Sequence, residues 1–493
     1  MSELRLSGED REFFGWVADA VFANPFSRER QALNLRISGL DRAESESRVL
    51  EAAVERVESR TRALNPDGVL PPFHYEPEDA RILELAGLFR AYHEFRDEFG
   101  RHIDSQSQSA EPLAVPFADA LWSRLAALGL SNEACARYLG VFYQVRRGFH
   151  CIEREIVGAC PAMVELRMRL WNAIFTFHPD WYLRCLVGRM EDFSTLLLGE
   201  TGTGKTSAAR AIGHSGFIPY DPKTRRYKES YNRAFVSINL AQFPPGVIES
   251  ELFGHRKGAF SGAIDHHPGI LARCSAHGAV LMDEIGDVDP TIQLKLLTVL
   301  QERWFMPVGG REPQPFQGRV IAATHRNLAR LRAEGRFRDD FFYRLCSDVI
   351  ELPPLRLRLA EAPGELRLMI AAILKRIFGP EGLVLTDGVE ERTRAWVPAD
   401  YPWPGNVREL EQCVRRICLT GRYQVDAQAQ TGPDAFLQSV AQGSLTADEL
   451  LAGYLGRLHG RFRSYEEVAR RSGLDRRTVK KYVGREPGAE NQA

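Results

Sequence analysis

The sequence predicts a multidomain chain with a mainly helical N-terminal domain, a central α/β module with a phosphate-binding loop and a helical lid, and a C-terminal helix-turn-helix. Three observations lead there. The first 155 residues repeat apolar side chains at helical spacing with almost no strand signal; apolar runs then alternate with helices; and a short basic helix-glycine-helix pattern closes the chain. A length of 493 residues agrees with about three domains at roughly 150 residues each.

In residues 1–155, Phe13, Phe14, Trp16, Val17 and Val21, and later Ile82, Leu83, Leu85, Leu88, Phe89 and Tyr92, fall on helical faces. This is expected to be a helical regulatory domain. It shows neither a phospho-acceptor aspartate pocket nor a strand-rich ligand-binding pattern, so the sequence does not reveal its signal. His93, His102 and His150 are scattered and read as structural. Cys151 and Cys160 leave a redox role open, because thiol reactivity depends on exposure.

Residues 156–355 carry the strand-like runs Ser194 to Leu198, Ala234 to Ile238, Ala279 to Met282 and Val320 to Thr324, alternating with helices. That alternation predicts a parallel sheet covered on both faces, with ligands at the strand ends. The first run leads straight into Gly199, Glu200, Thr201, Gly202, Thr203, Gly204, Lys205 and Thr206, a complete phosphate-binding loop. Backbone N–H groups of such a loop point at phosphate oxygens, while Lys205 reaches the β/γ-phosphates and Thr206 ligates Mg²⁺. The run ending in Asp283 and Glu284 has the form of the second acidic strand, with Asp283 holding Mg²⁺ and Glu284 polarising the attacking water. ATP and Mg²⁺ are the expected cofactors and ATP hydrolysis the expected reaction.

Two insertions lengthen this module, Trp171 to Met190 and Phe217 to Asn232. The second interleaves Lys223, Arg225, Arg226 and Lys228 with Tyr220, Tyr227 and Tyr231. It reads as a solvated excursion, with nucleic-acid contact as the alternative.

Composition narrows the classes further. With 64 basic and 65 acidic residues the net charge is −1, so no global field draws the chain to nucleic acid or membrane. None of the eight cysteines makes a C-x-x-C pair. The N-terminus is too charged for a signal peptide and no apolar run is long enough for a membrane helix, so a cytoplasmic protein without membrane contact is expected.

Between the two acidic and phosphate elements, residues 249–263 read Glu-Ser-Glu-Leu-Phe-Gly-His-Arg-Lys-Gly-Ala-Phe-Ser-Gly-Ala. On residue types alone, Phe260 is either an exposed tip on a glycine-hinged loop or a core aromatic in a turn. The stretch resembles the signature of the bacterial enhancer-binding proteins, the AAA+ activators of the sigma-54 form of RNA polymerase. The likeness continues through Asp283 to Gly286, Gln293 to Glu302, Val308 to Gly310, Leu352 to Arg356 and Trp403 to Leu410, covering roughly residues 156–420.

The resemblance implies an AAA+ α/β subdomain over 156–355 and a helical lid over 356–422. It implies that Gly258, Ala259, Phe260, Ser261, Gly262 and Ala263 contact sigma-54, with Ser261 where the family usually has threonine. Arg338 and Arg344 match the arginine fingers offered to a neighbouring subunit, which implies a homo-oligomeric ring, by family likeness a hexamer. Arg408 matches the sensor arginine of the lid, and Asn239 the polar residue that restrains the catalytic glutamate. Ile156 and Val157 match the segment that packs against adenine. His325 stands where the first sensor is usually asparagine. Its imidazole can still donate one hydrogen bond, so His325→Asn is expected to leave turnover intact.

Residues 423–443 read as a linker, and residues 444–493 as a DNA-binding module. Ser464 and Glu467 form a predicted capping box, Gly473 a turn, and Asp475 a cap for a second helix bearing Arg476, Arg477, Thr478, Lys480 and Lys481. These residues resemble the Fis-type helix-turn-helix that ends most members of the family, and double-stranded DNA at an upstream activator site is the implied target. The function implied is an ATP-dependent transcription activator that remodels the closed complex of the sigma-54 RNA polymerase holoenzyme. The rivals are an ATP-switched DNA-binding regulator that never meets sigma-54, and a remodelling ATPase for some other protein.

Overall fold

The computed structural model describes residues 4–41, 43–65, 72–425, 436, 440, 443 and 445–483. Most of the expected linker 423–443, and residues 484–493, lie outside the described residues. The chain divides into two compact units, Met1–Glu390 with Tyr401–Arg415, and Glu391–Asp400 with Arg416–Ala493.

The first unit opens with helices α1 (Gly8–Phe22), α2 (Arg28–Ser38), α3 (Glu46–Leu64), α4 (Pro77–Glu94), α5 (Arg96–Ser107), α6 (Ala118–Ala126), α7 (Asn132–Glu155) and α8 (Pro161–Phe175). Serine starts four of them: Ser7, Ser27, Ser45 and Ser131 each accept a hydrogen bond from a backbone N–H of the first turn. The apolar positions noted in α1 and α4 close a core in which Phe14, Val17 and Leu83 are fully buried. No break separates these helices from the sheet. Cys151 and Ile152 at the end of α7 share a core with Leu197 and Ala208, which flank the phosphate loop.

The sheet is five-stranded and parallel, in the order Phe235–Asn239, Ala279–Asp283, Arg319–Thr324, Thr195–Leu198, Asp348–Glu351. Four of these are the strands read from the sequence. The fifth, with only Val349 and Ile350 between two acids, is too short and too polar at its ends to announce itself as a run.

The Phe217 to Asn232 insertion corrects the sequence reading. It is not a solvated excursion: Tyr220, Tyr227 and Tyr231 are buried in the core of α4 to α7. Tyr227 stacks on Tyr143 at 3.9 Å between centroids, and the hydroxyls of Tyr227 and Tyr231 donate to the carbonyls of Leu139 and Ile103. Asn232 donates to the carbonyls of Gln106, Ser107 and Ser109. Tyrosine buries an apolar ring, worth on the order of 2 kcal/mol, while its hydroxyl still finds a partner. The basic side chains between the tyrosines misdirected the reading, because charge lets Lys223, Arg225 and Arg226 stay in water while the rings turn inward.

In the second unit, helices Ala447–Phe462, Tyr465–Ser472 and Arg476–Val483 meet on Leu455, Val468 and Val479. Gly473 turns the chain in the left-handed region at φ 70°, and Asp475 accepts from the N–H groups of Arg477 and Thr478. The predicted capping box at Ser464 is only half made. Ser464 accepts from the Glu467 N–H, but the Glu467 carboxylate turns away to Arg470 and Arg471. The reciprocal box sits one helix earlier, between Thr446 and Glu449.

Candidate functional site

The phosphate loop leaves the C-terminal end of the Thr195–Leu198 strand, next to the sheet's central strand, and enters helix Lys205–Gly213. Gly202 and Gly204 both hold positive φ, 82° and 103°. At Gly202 a methyl group would sit 2.2 Å from the Gly405 carbonyl, so glycine alone lets the loop nest against residues 405–408. Lys205, buried, donates to the carbonyls of Gly199 at 2.8 Å and Glu200 at 3.0 Å. Burial lowers its pKa, opposed by the charges of Glu284 and Asp283.

Residues 156 and 206 positions from Glu200 complete the loop, and the sequence reading assigned them no role. Glu200 is paired with Arg356, with hydrogen bonds of 2.8 and 2.6 Å that hold its carboxyl below the usual range. Fully buried Asn406, at φ 52°, donates to Glu200 and to the Thr201 carbonyl, and accepts from the Leu355 N–H at 2.7 Å. A Gly-Asn pair where the chain must enter the left-handed region was the available signal.

Asp283 and Glu284 end the second strand of interest. Burial first, and then the neighbouring Glu284, raise the Asp283 pKa, which makes an acid pair short of positive charge beside Lys205. Glu284 sits at φ 57°, and its carboxylate receives the His325 imidazole at 2.8 Å. Nδ1 of His325 must therefore be the donor to an ionised Glu284. Asn239 pairs in register with Asp283, but its amide oxygen accepts from the Ala241 N–H instead, so His325 rather than Asn239 is the side chain on Glu284.

A cavity of about 930 Å³ adjoins the loop at Thr203 and Gly204, and Ile156 and Val157 line its other side. The entry segment 156–160 is clamped by a buried ion pair between Arg358 and Glu365 at 2.7 Å. Arg358 also donates to the Val157 carbonyl, and Glu365 accepts from the N–H groups of Ala159 and Cys160. Arg408 lies near enough for its charge to bear on both Lys205 and Asp283.

Arg338 and Arg344 are not brought to the phosphate loop. Arg338 forks onto Asp340, and Arg344 donates to the Leu300 carbonyl at 2.8 Å. Thr206 is the second residue of the loop helix. On the loop between strands, Gly258 donates to the Ala263 carbonyl and Ala263 to that of Phe260, closing a tight turn between Gly258 and Gly262, both at positive φ. That turn leaves Phe260 47% exposed, as a tip rather than a core aromatic, with its ring in a T-shaped contact with His255 at 4.9 Å. Ala259, Ser261, Gly262 and Ala263 make up the rest of the tip. In the second unit, Arg476, Arg477, Lys480 and Lys481 are exposed and Thr478 half-buried. Arg476 is paired with Glu466, and Thr478 with Asp475.

Cys151 and Cys160 are buried, with burial pushing Cys151 up to about 11 and Cys160 also upward, so neither is a reactive thiolate. Among the described residues no helix is long and apolar enough to cross a membrane.

Residues 186–351 match the family described as the Sigma-54 interaction domain. The chain is 40% identical over 241 residues to the hydrogenase transcriptional regulatory protein HoxA of Cupriavidus necator, covering 48% of this chain and 45% of that one. It is 39% identical over 262 residues to the DNA-binding transcriptional regulator NtrC of Azospirillum brasilense (53% and 47%), and 34% over 296 residues to the Nif-specific regulatory protein of Azotobacter vinelandii (58% and 49%). The chain thus spans about half the length of the curated relatives it matches. A crystal structure of NtrX from Brucella abortus in complex with ATP is similar with a TM-score of 0.42 at 22% identity, over 75% of this chain and 80% of that one. Residues 186–351 are therefore a sigma-54 interaction domain, and the chain that carries it is recognised as a relative of the sigma-54-dependent transcriptional activators.

Proposed function

We propose that the protein is an ATP-hydrolysing transcription activator that engages the sigma-54 RNA polymerase holoenzyme through the Phe260 tip and binds upstream DNA through its C-terminal helices. The observation that carries this reading is the exposed Phe260 on a turn built into the same module as the phosphate loop. An exposed aromatic on a glycine-hinged tip is a contact group waiting for a partner.

The residues present fit ATP and Mg²⁺. Lys205 has only carbonyl oxygens as partners, the loop accepts no side chain at Gly202, and Asp283 with Glu284 supplies the acids a divalent cation neutralises. Thr206 and Asp283 would hold Mg²⁺, which when bound neutralises charge between the phosphates. The loop N–H groups and Lys205 orient the phosphates, and Ile156 and Val157 close on the base. Glu284 orients the attacking water, and its bond to His325 fixes where that carboxylate points. Arg338, held by Asp340, and Arg344, held by the Leu300 carbonyl, serve the loop of a neighbouring subunit in this reading, so that hydrolysis requires a ring, a hexamer. Arg408 reports nucleotide state to the helices of the lid. In the C-terminal module, Arg477, Lys480 and Lys481 make no ion pair among the described residues, leaving them for phosphates and base edges, with Arg476 and Thr478 at the same helix start.

The test is a native-gel assay with purified sigma-54 and the protein trapped with ADP and aluminium fluoride. A complex that forms with the wild type and is lost in Phe260→Ala supports the reading. No complex, from protein that hydrolyses ATP, replaces it with an ATP-switched regulator that does not contact sigma-54.

A further inference from the structure

A second cavity, of about 240 Å³, lies far from the phosphate loop in sequence, among α1, α2, α4, α7 and α8. Its walls are overwhelmingly apolar and aromatic, with Leu88, Phe89, Phe142 and Phe149 among them. Phe149 stacks on Phe26 at 5.2 Å, and Trp171 lies edge-on to Phe26 and tilted on Phe175. A space of this size suits a molecule of about one or two rings.

The charged groups lining it are all of one sign, beside the hydroxyls of Tyr92, Tyr138 and Tyr182. Arg30, Arg96 and Arg146 line the cavity and no Asp or Glu does. Arg30 reaches only uncharged oxygens, the Ala20 carbonyl at 2.7 Å and the Asn34 amide at 3.0 Å. Three further lining polar atoms are buried without any hydrogen-bond partner: Nε of Arg146, Nδ1 of His93 and the indole Nε1 of Trp171, a side chain 6% exposed. Folded proteins rarely leave buried polar atoms unpaired; Nε of Arg146 and Nε1 of Trp171 are donors, and two such donors around one cavity mark the place of a missing acceptor. Burial holds the Arg30 guanidinium down at about 10, and burial together with the three arginines keeps His93 neutral, so the cavity is electropositive as well as apolar.

We propose that this cavity is a binding site for a small hydrophobic monocarboxylate, whose carboxylate meets Arg30 and the Trp171 indole N–H while its apolar body fills the aromatic walls. A guanidinium donates two parallel hydrogen bonds to a carboxylate, and an anion offsets the charge of Arg30, which meets only neutral oxygens among the described residues, whereas Arg96 is already paired with Asp97 at 3.3 Å. A phosphate or a sugar does not suit walls this apolar, and a macromolecule cannot enter a cavity of this volume.

The site also has a physical route to the ATPase module. Trp171 and Phe175 belong to α8, and they pack in one core with Leu197 and Ala208, the residues that flank the phosphate loop. Occupancy of the cavity therefore bears on the footing of the loop, which makes the carboxylate an effector. This second half rests on the ATPase reading above, whereas the binding half does not.

Isothermal titration calorimetry of the full chain separates the two, using 3-phenylpropionate and octanoate against their alcohols 3-phenylpropanol and 1-octanol. One saturable site per chain is expected, with each acid at least tenfold tighter than its alcohol. Arg30→Met should remove that preference and leave the alcohols unchanged; Val145→Trp, which fills the cavity, should remove binding of all four. Circular dichroism and the melting temperature show that each variant is folded. Absence of saturable heat with all four probes, or an acid-to-alcohol ratio unchanged in folded Arg30→Met, overturns the site. Binding that leaves the rate of ATP hydrolysis unchanged overturns the effector role alone.

Discussion

Lys205 and Arg30 are both buried or half-buried cations whose partners are neutral oxygens, and both have their pKa lowered by burial. Among the described residues neither makes an ion pair. They differ in how each was assembled. Lys205 sits in eight consecutive residues that also supply the N–H groups and glycines of its anion site, so one short segment carries the chemistry. Arg30 sits on α2 and depends on α4, α7 and α8 for everything else around it. A cation held ready for an anion is thus one physical device with two encodings, one local and one that exists only after the helices pack.

The comparison breaks most directly by removing each cation in turn. Lys205→Met is expected to weaken ATP binding by about 2–5 kcal/mol, roughly 30-fold to several thousandfold in Kd, while leaving 3-phenylpropionate binding unaltered. Arg30→Met should do the reverse. Equilibrium binding of a fluorescent ATP analogue to both variants decides this, and loss of both ligands in either variant would mean the two sites are one cooperative unit. Turnover sharpens the first half. Glu284→Gln should retain ATP and lose about 10²- to 10⁴-fold in rate. His325→Ala should lose less, and His325→Asn should keep turnover, because an amide N–H still donates to the carboxylate. A rate for His325→Asn as low as that of Glu284→Gln would show that the imidazole does more than position Glu284.

Next in size is the clamp on the entry segment 156–160. Arg358→Met leaves Glu365 buried with no counter-charge, a loss of about 3–5 kcal/mol of stability, whereas Arg358→Met combined with Glu365→Leu removes both charges and should recover much of it. Urea denaturation of the three proteins measures the difference. An Arg358→Met variant as stable as wild type would mean water reaches the pair. Asn406→Ala follows, at about 1–3 kcal/mol, for it strands the buried Leu355 N–H. It should also weaken ATP binding, since the same amide braces Glu200 and Thr201. A loss of stability without loss of affinity would confine Asn406 to structure.

These residues show what the sequence made legible. Four of the five strands were readable because each is an apolar run before a loop with recognisable chemistry; Asp348–Glu351 offered only two apolar residues. Phosphate loop and acid pair were readable because their residues are contiguous, whereas Phe260 stood between tip and core until its 47% exposure was seen. Asn406, Arg356 and the Arg358–Glu365 pair were not readable, since their partners lie 156 to 206 positions earlier and only the fold makes them neighbours. The tyrosine insertion misled for a related reason. Composition reports charge and aromaticity but not which of the two faces water, and in Tyr220, Tyr227 and Tyr231 the rings won burial. His325 was visible as a residue type, yet its partner Glu284 was not, because the sensor and acid strands meet only through the order of the sheet.

The smallest effect belongs to Glu467, where the helix start departs from the predicted box. Side-chain hydrogen bonds first from Arg470 and then from Arg471 hold its carboxyl down at about 2, against an ordinary value of 4.5. A depressed folded-state pKa means that the stabilising contribution is fully present above the ordinary value and fades as pH falls through about 2. The pair is exposed and open to salt, so the contribution is slight and weakens further at high ionic strength. Glu467→Gln should therefore lower the melting temperature of the C-terminal helices a little at pH 7 and not at all well below pH 2. A carbon-detected titration should find the wild-type carboxyl changing well below pH 4. If instead it titrates near 4.5, the fork to Arg470 and Arg471 is not maintained in solution, and Glu467 is free to complete the capping box that its spacing from Ser464 predicts.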